Sequence, residues 1–135
     1  MELKSTVDIK VQKFVINYGA EQFISWLDQF DKVINSKDYP LFRRLQREAC
    51  KACGITLADM RLFSNTSCTN TKRIISYLAF HQLHLTVPSI ANLLGVSDRT
   101  VNYYIDDAAG WINQPKSNKA FFDSYSIVIE NFKIE

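Results

Sequence analysis

The sequence predicts an all-α fold, a multi-helix domain that contains a helix-turn-helix. Apolar residues recur at the spacing i, i+3, i+4 along most of the 135 residues, and the alternating pattern of a β-strand is scarce. With 47% hydrophobic residues, the chain is long enough to bury a core without disulfides. The segment "SIANLLGVSDRTVNYYI" (residues 89–105) has the form of two short helices joined by a tight turn.

Two helices are predicted in residues 1–36. Apolar side chains at helical spacing define both helices. The first, which ends near Gly19, carries Val11, Phe14, Val15 and Tyr18. The second carries Phe23, Leu27, Phe30 and Ile34. The second helix also carries Ile24, Trp26 and Val33 on an adjoining face, which is more apolar surface than a surface helix needs. We therefore expect residues 1–36 to be a helical extension that either packs against the rest of the chain or forms a homodimer.

The next helix is predicted to start just after Pro40, behind the break "NSKDYP", and to end at Gly54. Its apolar stripe consists of Leu41, Leu45, Ala49 and Cys53. Thr56, with Asp59 three residues later, has the pattern of a capped helix start. The polar segment "SNTSCTNT" predicts a loop at residues 64–71.

The remaining chain predicts four further helices, for a total of seven or eight. "KRIISYLAFHQLHL" is strongly apolar and should be central to the core. Pro88 fits the first turn of the next helix, and we expect residues 87–94 and 98–109 to be the two arms of the helix-turn-helix. Gly110 and Pro115 predict a break. The last helix is predicted by Phe121, Tyr125, Val128 and Phe132.

Charge is distributed unevenly along the chain. Residues 1–36 hold 4 Lys or Arg and 5 Asp or Glu (−1), residues 37–73 hold 8 and 3 (+5), and residues 74–135 hold 4 and 6 (−2). The basic middle segment is compatible with an anionic partner and also with a solvated face. Met1 is followed by no apolar run of signal-peptide length, and "IISYLAF" is too short to cross a bilayer, so we expect a cytoplasmic protein with no membrane partner.

The three cysteines argue against a disulfide framework and against zinc. Cys50 and Cys53 form a C-x-x-C, and His81 and His84 form an H-x-x-H. Both pairs lie within helical patterns instead of on turn-forming knuckles, and nearly thirty residues separate them. We expect the two cysteines of the C-x-x-C to pack as small apolar residues and to bind no metal.

Residues 89–105 match the steric template of a helix-turn-helix. Ala91 is the small residue where the second helix crosses the first, and Gly95 follows four positions later in the turn. The apolar positions that lock the pair are Ile90, Leu94, Val96, Val101 and Tyr104. Ser97 should cap the second helix by accepting from the N–H of Arg99 or Thr100.

The side chains left on the outer face are Ser97, Asp98, Arg99, Asn102 and Tyr103. Such groups can reach base edges in the major groove, where Arg suits guanine and Asn suits adenine. The alternative is an ordinary helical hairpin with a polar surface, in which Asp98 only complements the helix dipole. The template match favours DNA binding, with Tyr103 contacting phosphate or sugar.

Part of the chain resembles the C-terminal DNA-binding domain of the bacterial replication initiator DnaA. "GITLADM" (residues 54–60), "KRIISYLA" and "TVPSIANLLGVSDRTV" follow one another in that family's order and spacing, across about residues 41–107. Two positions depart from the family pattern. The family has an arginine where this chain has Lys72, and the turn of its helix-turn-helix is one residue longer than the turn here. The DNA sequence that the initiator recognises at the origin is therefore not carried over to this chain. The resemblance implies an initiator-like DNA-binding domain in residues 37–135, without the ATPase, and a basic junction at Lys72 and Arg73 that holds the phosphate backbone.

We thus expect sequence-specific binding of double-stranded DNA at the nucleoid, in regulation of transcription, replication or mobile-element DNA. The predicted DNA-binding residues are Lys72, Arg73, Ser97, Asp98, Arg99, Thr100, Asn102 and Tyr103. No motif for catalysis, a cofactor or a small-molecule substrate is present, and no metal-binding or basic cluster near Tyr103 and Tyr104 would activate a nucleophilic tyrosine. The alternative function is a helical protein-protein interaction module without DNA-binding activity.

Overall fold

The computed structural model describes Ile24 and residues 39–133. The chain divides into two compact units, residues 1–36 and residues 37–135. Ile24 is helical, and the other residues of the two predicted N-terminal helices lie outside the described part, as does their role in packing or dimerisation. The described residues are predominantly helical and contain no strand, which confirms the all-α fold class. None of the described helices is long and apolar enough to cross a membrane.

Six α-helices form the described part of the second unit. They are α1 (Tyr39–Cys53), α2 (Leu57–Leu62), α3 (Thr66–His81), α4 (Val87–Leu94), α5 (Asp98–Asn113) and α6 (Lys119–Asn131), with a short 3-10 helix (Pro115–Ser117) between the last two.

Five of these helices begin at a side-chain cap. In each case the capping oxygen accepts a hydrogen bond from the backbone N–H three residues later; the caps are Thr56, Asn65, Thr86, Ser97 and Asn118. The carboxylate of Asp59 also accepts from the Thr56 N–H, so the predicted capping box is confirmed. Each cap stabilises its helix by about 1 kcal/mol, because it satisfies an N–H that has no partner within the helix.

Helix α3 is central to the core, as its apolar sequence predicted. Ile74, Ile75, Leu78 and Ala79 are at most 1% exposed. α1, α2, α4 and α5 all pack against α3, and α6 covers α1 and the end of α5. One cluster of buried side chains therefore joins all six helices.

The predicted loop at residues 64–71 is wrong, because α3 already begins at Thr66. Asn65 caps the helix, and the hydroxyls of Thr69 and Thr71 donate to backbone carbonyls one turn earlier. Cys68 and Thr71 are 0% exposed, so burial of one face holds this polar, turn-like sequence in the helix. Lys72 and Arg73 consequently lie about two turns inside α3 and do not open it.

The predicted break between Gly110 and Pro115 is present, at Gln114, but the second arm does not end before Gly110. α5 continues through it to Asn113, so the second arm is longer than residues 98–109, and the Gly110 carbonyl accepts a helical hydrogen bond from Gln114 N–H at 3.0 Å. Trp111 and Ile112 pack against the core and hold this last turn in place. Their burial outweighs the roughly 1 kcal/mol that a glycine costs inside a helix.

Candidate nucleic-acid interface

The turn between α4 and α5 has the tight geometry that the sequence predicted. Gly95 ends α4 in the left-handed conformation, with φ of 70°. The N–H groups of Gly95 and Val96 both donate to the carbonyl of Ala91. Ala91 itself is only 2% exposed, as expected for the small residue at a helix crossing. The turn thus directs α5 across α4 without a longer loop.

Apolar contacts fix the two helices to each other and to the core. Ile90, Leu94 and Val101 are buried, and Val96 packs against the core, as predicted. Tyr104 is half-buried and lies outside the core cluster, whereas the next residue, Ile105, packs against that cluster. Burial raises the pKa of the Tyr104 phenol, against a smaller opposing effect of the Arg73 charge. The phenol therefore stays neutral at physiological pH.

The outer face of α5 presents polar groups from its first turn onward. The predicted outward residues are all exposed: Ser97, Asp98, Arg99, Asn102 and Tyr103. Ser97 accepts from the N–H of Thr100 at 3.1 Å, and the two hydroxyls lie 2.8 Å apart. Ser97 and the half-buried Thr100 therefore serve first to start the helix, as the sequence predicted for Ser97.

Arg99 and Tyr103 form a pair on this face that the sequence analysis did not identify. The Arg99 Nε donates to the Tyr103 hydroxyl at 3.0 Å, and the guanidinium carbon lies 5.5 Å from the ring centroid. The i, i+4 spacing of the two residues was the available signal. The pairing restricts the Arg99 side chain while its two terminal nitrogens stay available to a ligand, which lowers the entropy cost of binding.

Arg73, in contrast, is engaged inside the protein. Its Nε lies 3.3 Å from Asp107 Oδ2 without hydrogen-bond geometry, so this contact is an ion pair. Its Nη1 donates to Asn70 Oδ1 at 3.0 Å, and its guanidinium carbon lies 4.8 Å from the Trp111 ring centroid. With its side chain only 21% exposed, Arg73 joins α3 to the second half of α5. The neighbouring Lys72 is half-buried.

The structure therefore brings together six of the eight predicted site residues. They are the cap residue Ser97 and, in the first two turns of α5, Asp98, Arg99, Thr100, Asn102 and Tyr103. Asp107, which holds Arg73, lies eight residues after Arg99, or about 12 Å along the helix axis. Arg73 therefore contacts α5 about two turns beyond Arg99.

The cysteines pack as predicted. Cys50 is 5% exposed, with its Sγ 4.0 Å from Met60 Sδ, and burial raises the pKa of its thiol to about 11. Cys53 is half-buried against the core. The Sγ of Cys68 lies 3.3 Å from the Asp59 carbonyl, where it donates a weak hydrogen bond. His81 is exposed, and no group of three metal-ligating side chains occurs within residues 39–133.

Comparisons of the chain with protein-family models, curated proteins and solved structures give no match. The resemblance to the initiator's DNA-binding domain therefore stays a prediction from the sequence.

Proposed function

We propose that this protein binds double-stranded DNA sequence-specifically, with α4 and α5 as the helix-turn-helix and α5 as the helix that enters the major groove. The observation that carries the proposal is the exposed polar face at the start of α5, behind the tight Gly95 turn. An α-helix fits the major groove, which is about 12 Å wide. In such motifs the N-terminal residues of the second helix contact the base edges.

The exposed face of α5 is continuous. Asp98, Arg99, Asn102 and Tyr103 are followed one turn later by Asp106, which is also exposed. No bulky neighbour within the described residues covers this stripe, so α5 can approach a groove over more than two turns. Arg99 has the donors to bind guanine and Asn102 has the amide to bind adenine, while Asp98 can accept from a cytosine amine.

The biological role that fits such a domain is regulation of transcription, replication or mobile-element DNA at the nucleoid. Its support is the sequence resemblance to the initiator's DNA-binding domain. We propose a DNA-binding domain of this kind acting without the initiator's ATPase.

Selection from a pool of randomised duplexes tests the proposal. The purified chain should enrich a short motif that contains guanine and adenine. The Asn102→Ala variant should lose the adenine preference at one position and keep the rest of the motif. A pool that stays random after repeated rounds at low salt would contradict the proposal.

A protein-protein interaction module is the second candidate, favoured by an exposed apolar pair. Leu62 is 65% exposed and the adjacent Phe63 is 54% exposed, at the end of α2. If this pair mediates association, light scattering should detect an oligomer that Leu62→Ser with Phe63→Ser dissociates. If the protein selects a DNA motif and its mass in light scattering is unchanged by these substitutions, the pair does not mediate association.

A further inference from the structure

The outer face of α1 is a stripe of positive charge. After Pro40, the only exposed residues of this helix are Arg43, Arg47 and Lys51; every other side chain is buried or half-buried. Their spacing of four residues places them on one face, about 12 Å from first to last. We call these three residues the α1 basic stripe.

No carboxylate of residues 39–133 forms an ion pair with the stripe. Within residues 39–133 the one ion pair is that between Arg73 and Asp107. Arg43 donates to the hydroxyl of Tyr39 at 3.3 Å, and its guanidinium carbon lies 5.9 Å from the centroid of the Tyr39 ring. Because Tyr39 is a neutral partner, the charge of Arg43 is not paired by this contact. The fourth cation of the helix, Arg44, is turned the other way: it donates to the Lys133 carbonyl and lies over the Phe132 ring.

The exposed face of α5 lacks the charge that DNA affinity requires. Its exposed charged residues are Asp98, Arg99 and Asp106, which give a net charge of −1. Proteins gain most of their non-specific affinity for DNA by neutralising phosphates with Lys and Arg, which releases condensed counterions. A DNA-binding domain with such a reading helix must therefore carry its phosphate contacts on other elements.

We propose that the α1 basic stripe binds the phosphate backbone of duplex DNA and supplies the salt-dependent part of the affinity, while α5 reads the bases. This inference rests on the proposed function. α1 and α5 both pack against α3, and the axes of packed helices lie about 8–10 Å apart, so the axes of α1 and α5 are within about 20 Å of each other. That distance is less than one turn of a duplex, about 34 Å.

The charge density of DNA matches the stripe. A duplex carries one phosphate per roughly 1.7 Å of its axis, so about seven phosphates lie along a 12 Å length. Three unpaired cations at intervals of about 6 Å can each reach a separate phosphate. Arg73 is already ion-paired, and Lys72 is half-buried, so the stripe is better placed than that junction to bind a backbone.

The test is a salt series with a charge-matched control. The variant Arg43→Gln, Arg47→Gln, Lys51→Gln removes the stripe, and Lys116→Gln, Lys119→Gln, Lys133→Gln removes three exposed cations elsewhere. Circular dichroism verifies that both variants keep the helicity of the wild type. Affinities are measured on a preferred and a scrambled duplex at four or more salt concentrations.

Loss of the stripe should reduce the slope of log K against log salt by about 2.7, which is roughly 0.9 for each of three phosphate contacts. Binding at 0.1 M salt should weaken on the order of 100-fold for both duplexes, and the ratio between the duplexes should stay the same. The control variant should keep the wild-type slope. This outcome supports the stripe as the backbone contact.

The other outcomes separate the stripe from the proposed function. If the wild type discriminates between the duplexes and the stripe variant keeps its slope, the stripe is refuted and base reading by α5 stands. If the wild type binds both duplexes equally and the stripe variant loses this affinity, the stripe is supported and sequence-specific binding is refuted. If the wild type binds neither duplex at low salt, both proposals are refuted.

Discussion

The same substitution, glycine to alanine, should have opposite effects in the turn before α5 and in the last part of that helix. Gly95 has φ of 70° in the turn, whereas Gly110 lies inside α5. A Cβ atom added at either position meets no atom within 4 Å, so steric clashes do not contribute. The difference therefore comes from the backbone alone.

The expected magnitudes follow from the two conformations. Gly95→Ala forces an L-residue into the left-handed region, which costs roughly 1–2 kcal/mol of the free energy of unfolding. Gly110→Ala replaces a glycine in an exposed helical position and should stabilise the protein by about 0.8–1.0 kcal/mol. For a domain of this size, 1 kcal/mol corresponds to a shift of about 4–8 °C in Tm.

Thermal and urea unfolding followed by circular dichroism measure both changes. Gly54→Ala is the control for Gly95, because Gly54 has φ of 68° and also has no atom within 4 Å of the added Cβ. It should lower Tm by a similar amount. A lower Tm for Gly110→Ala would show that α5 ends before this residue, as its sequence had suggested, and would refute the reasoning.

Three further predictions concern side chains that pack between helices. Arg73→Ala should destabilise the protein by about 1–3 kcal/mol, because Asp107 and Trp111 lose their partner. The same substitution should leave the salt slope of DNA binding unchanged, and a lower slope would make Arg73 a phosphate contact. Phe121→Ala should cost about 3–5 kcal/mol in urea unfolding, since Phe121 is 0% exposed, and a loss below 1 kcal/mol would contradict its place in the core. Folding raises the pKa of Cys50 from 9.0 to about 11. The contribution of this thiol to the free energy of unfolding is therefore complete below pH 9 and falls between pH 9 and 11. The stability difference between wild type and Cys50→Ala should change across that window and nowhere below it.

The sequence predicted those parts of the fold that local interactions determine. The start of α4 at Val87, with Pro88 in its first turn, the end of α1 at Gly54 and the Ser97 cap each depend on residues within one helical turn. The bounds of α4 and the start of α5 were therefore predicted correctly. Turn chemistry and capping are readable because the partners are neighbours in sequence.

Elements that depend on tertiary contacts were not predictable in the same way. The polar start of α3 looked like a loop, because the burial of Cys68 and Thr71 against other helices is not visible in composition. Gly110 looked like a stop, because the packing of Trp111 is a long-range effect. The engagement of Arg73 by Asp107 likewise required the pairing of α3 with α5. The α1 basic stripe could have been found from three cations at intervals of four residues.

The central claim, that α5 reads base edges, is tested most directly by the affinity of Arg99→Ala for the preferred and the scrambled duplex. Arg61→Ala, which removes an exposed arginine from α2, is the matched control. If Arg99 binds a guanine with two hydrogen bonds, its loss should cost roughly 1–3 kcal/mol on the preferred duplex, or about 5- to 150-fold, with much less change on the scrambled one. Arg61→Ala should alter neither affinity. An equal loss on both duplexes for Arg99→Ala, or wild-type affinity for the preferred one, would contradict the assignment of α5 as the reading helix.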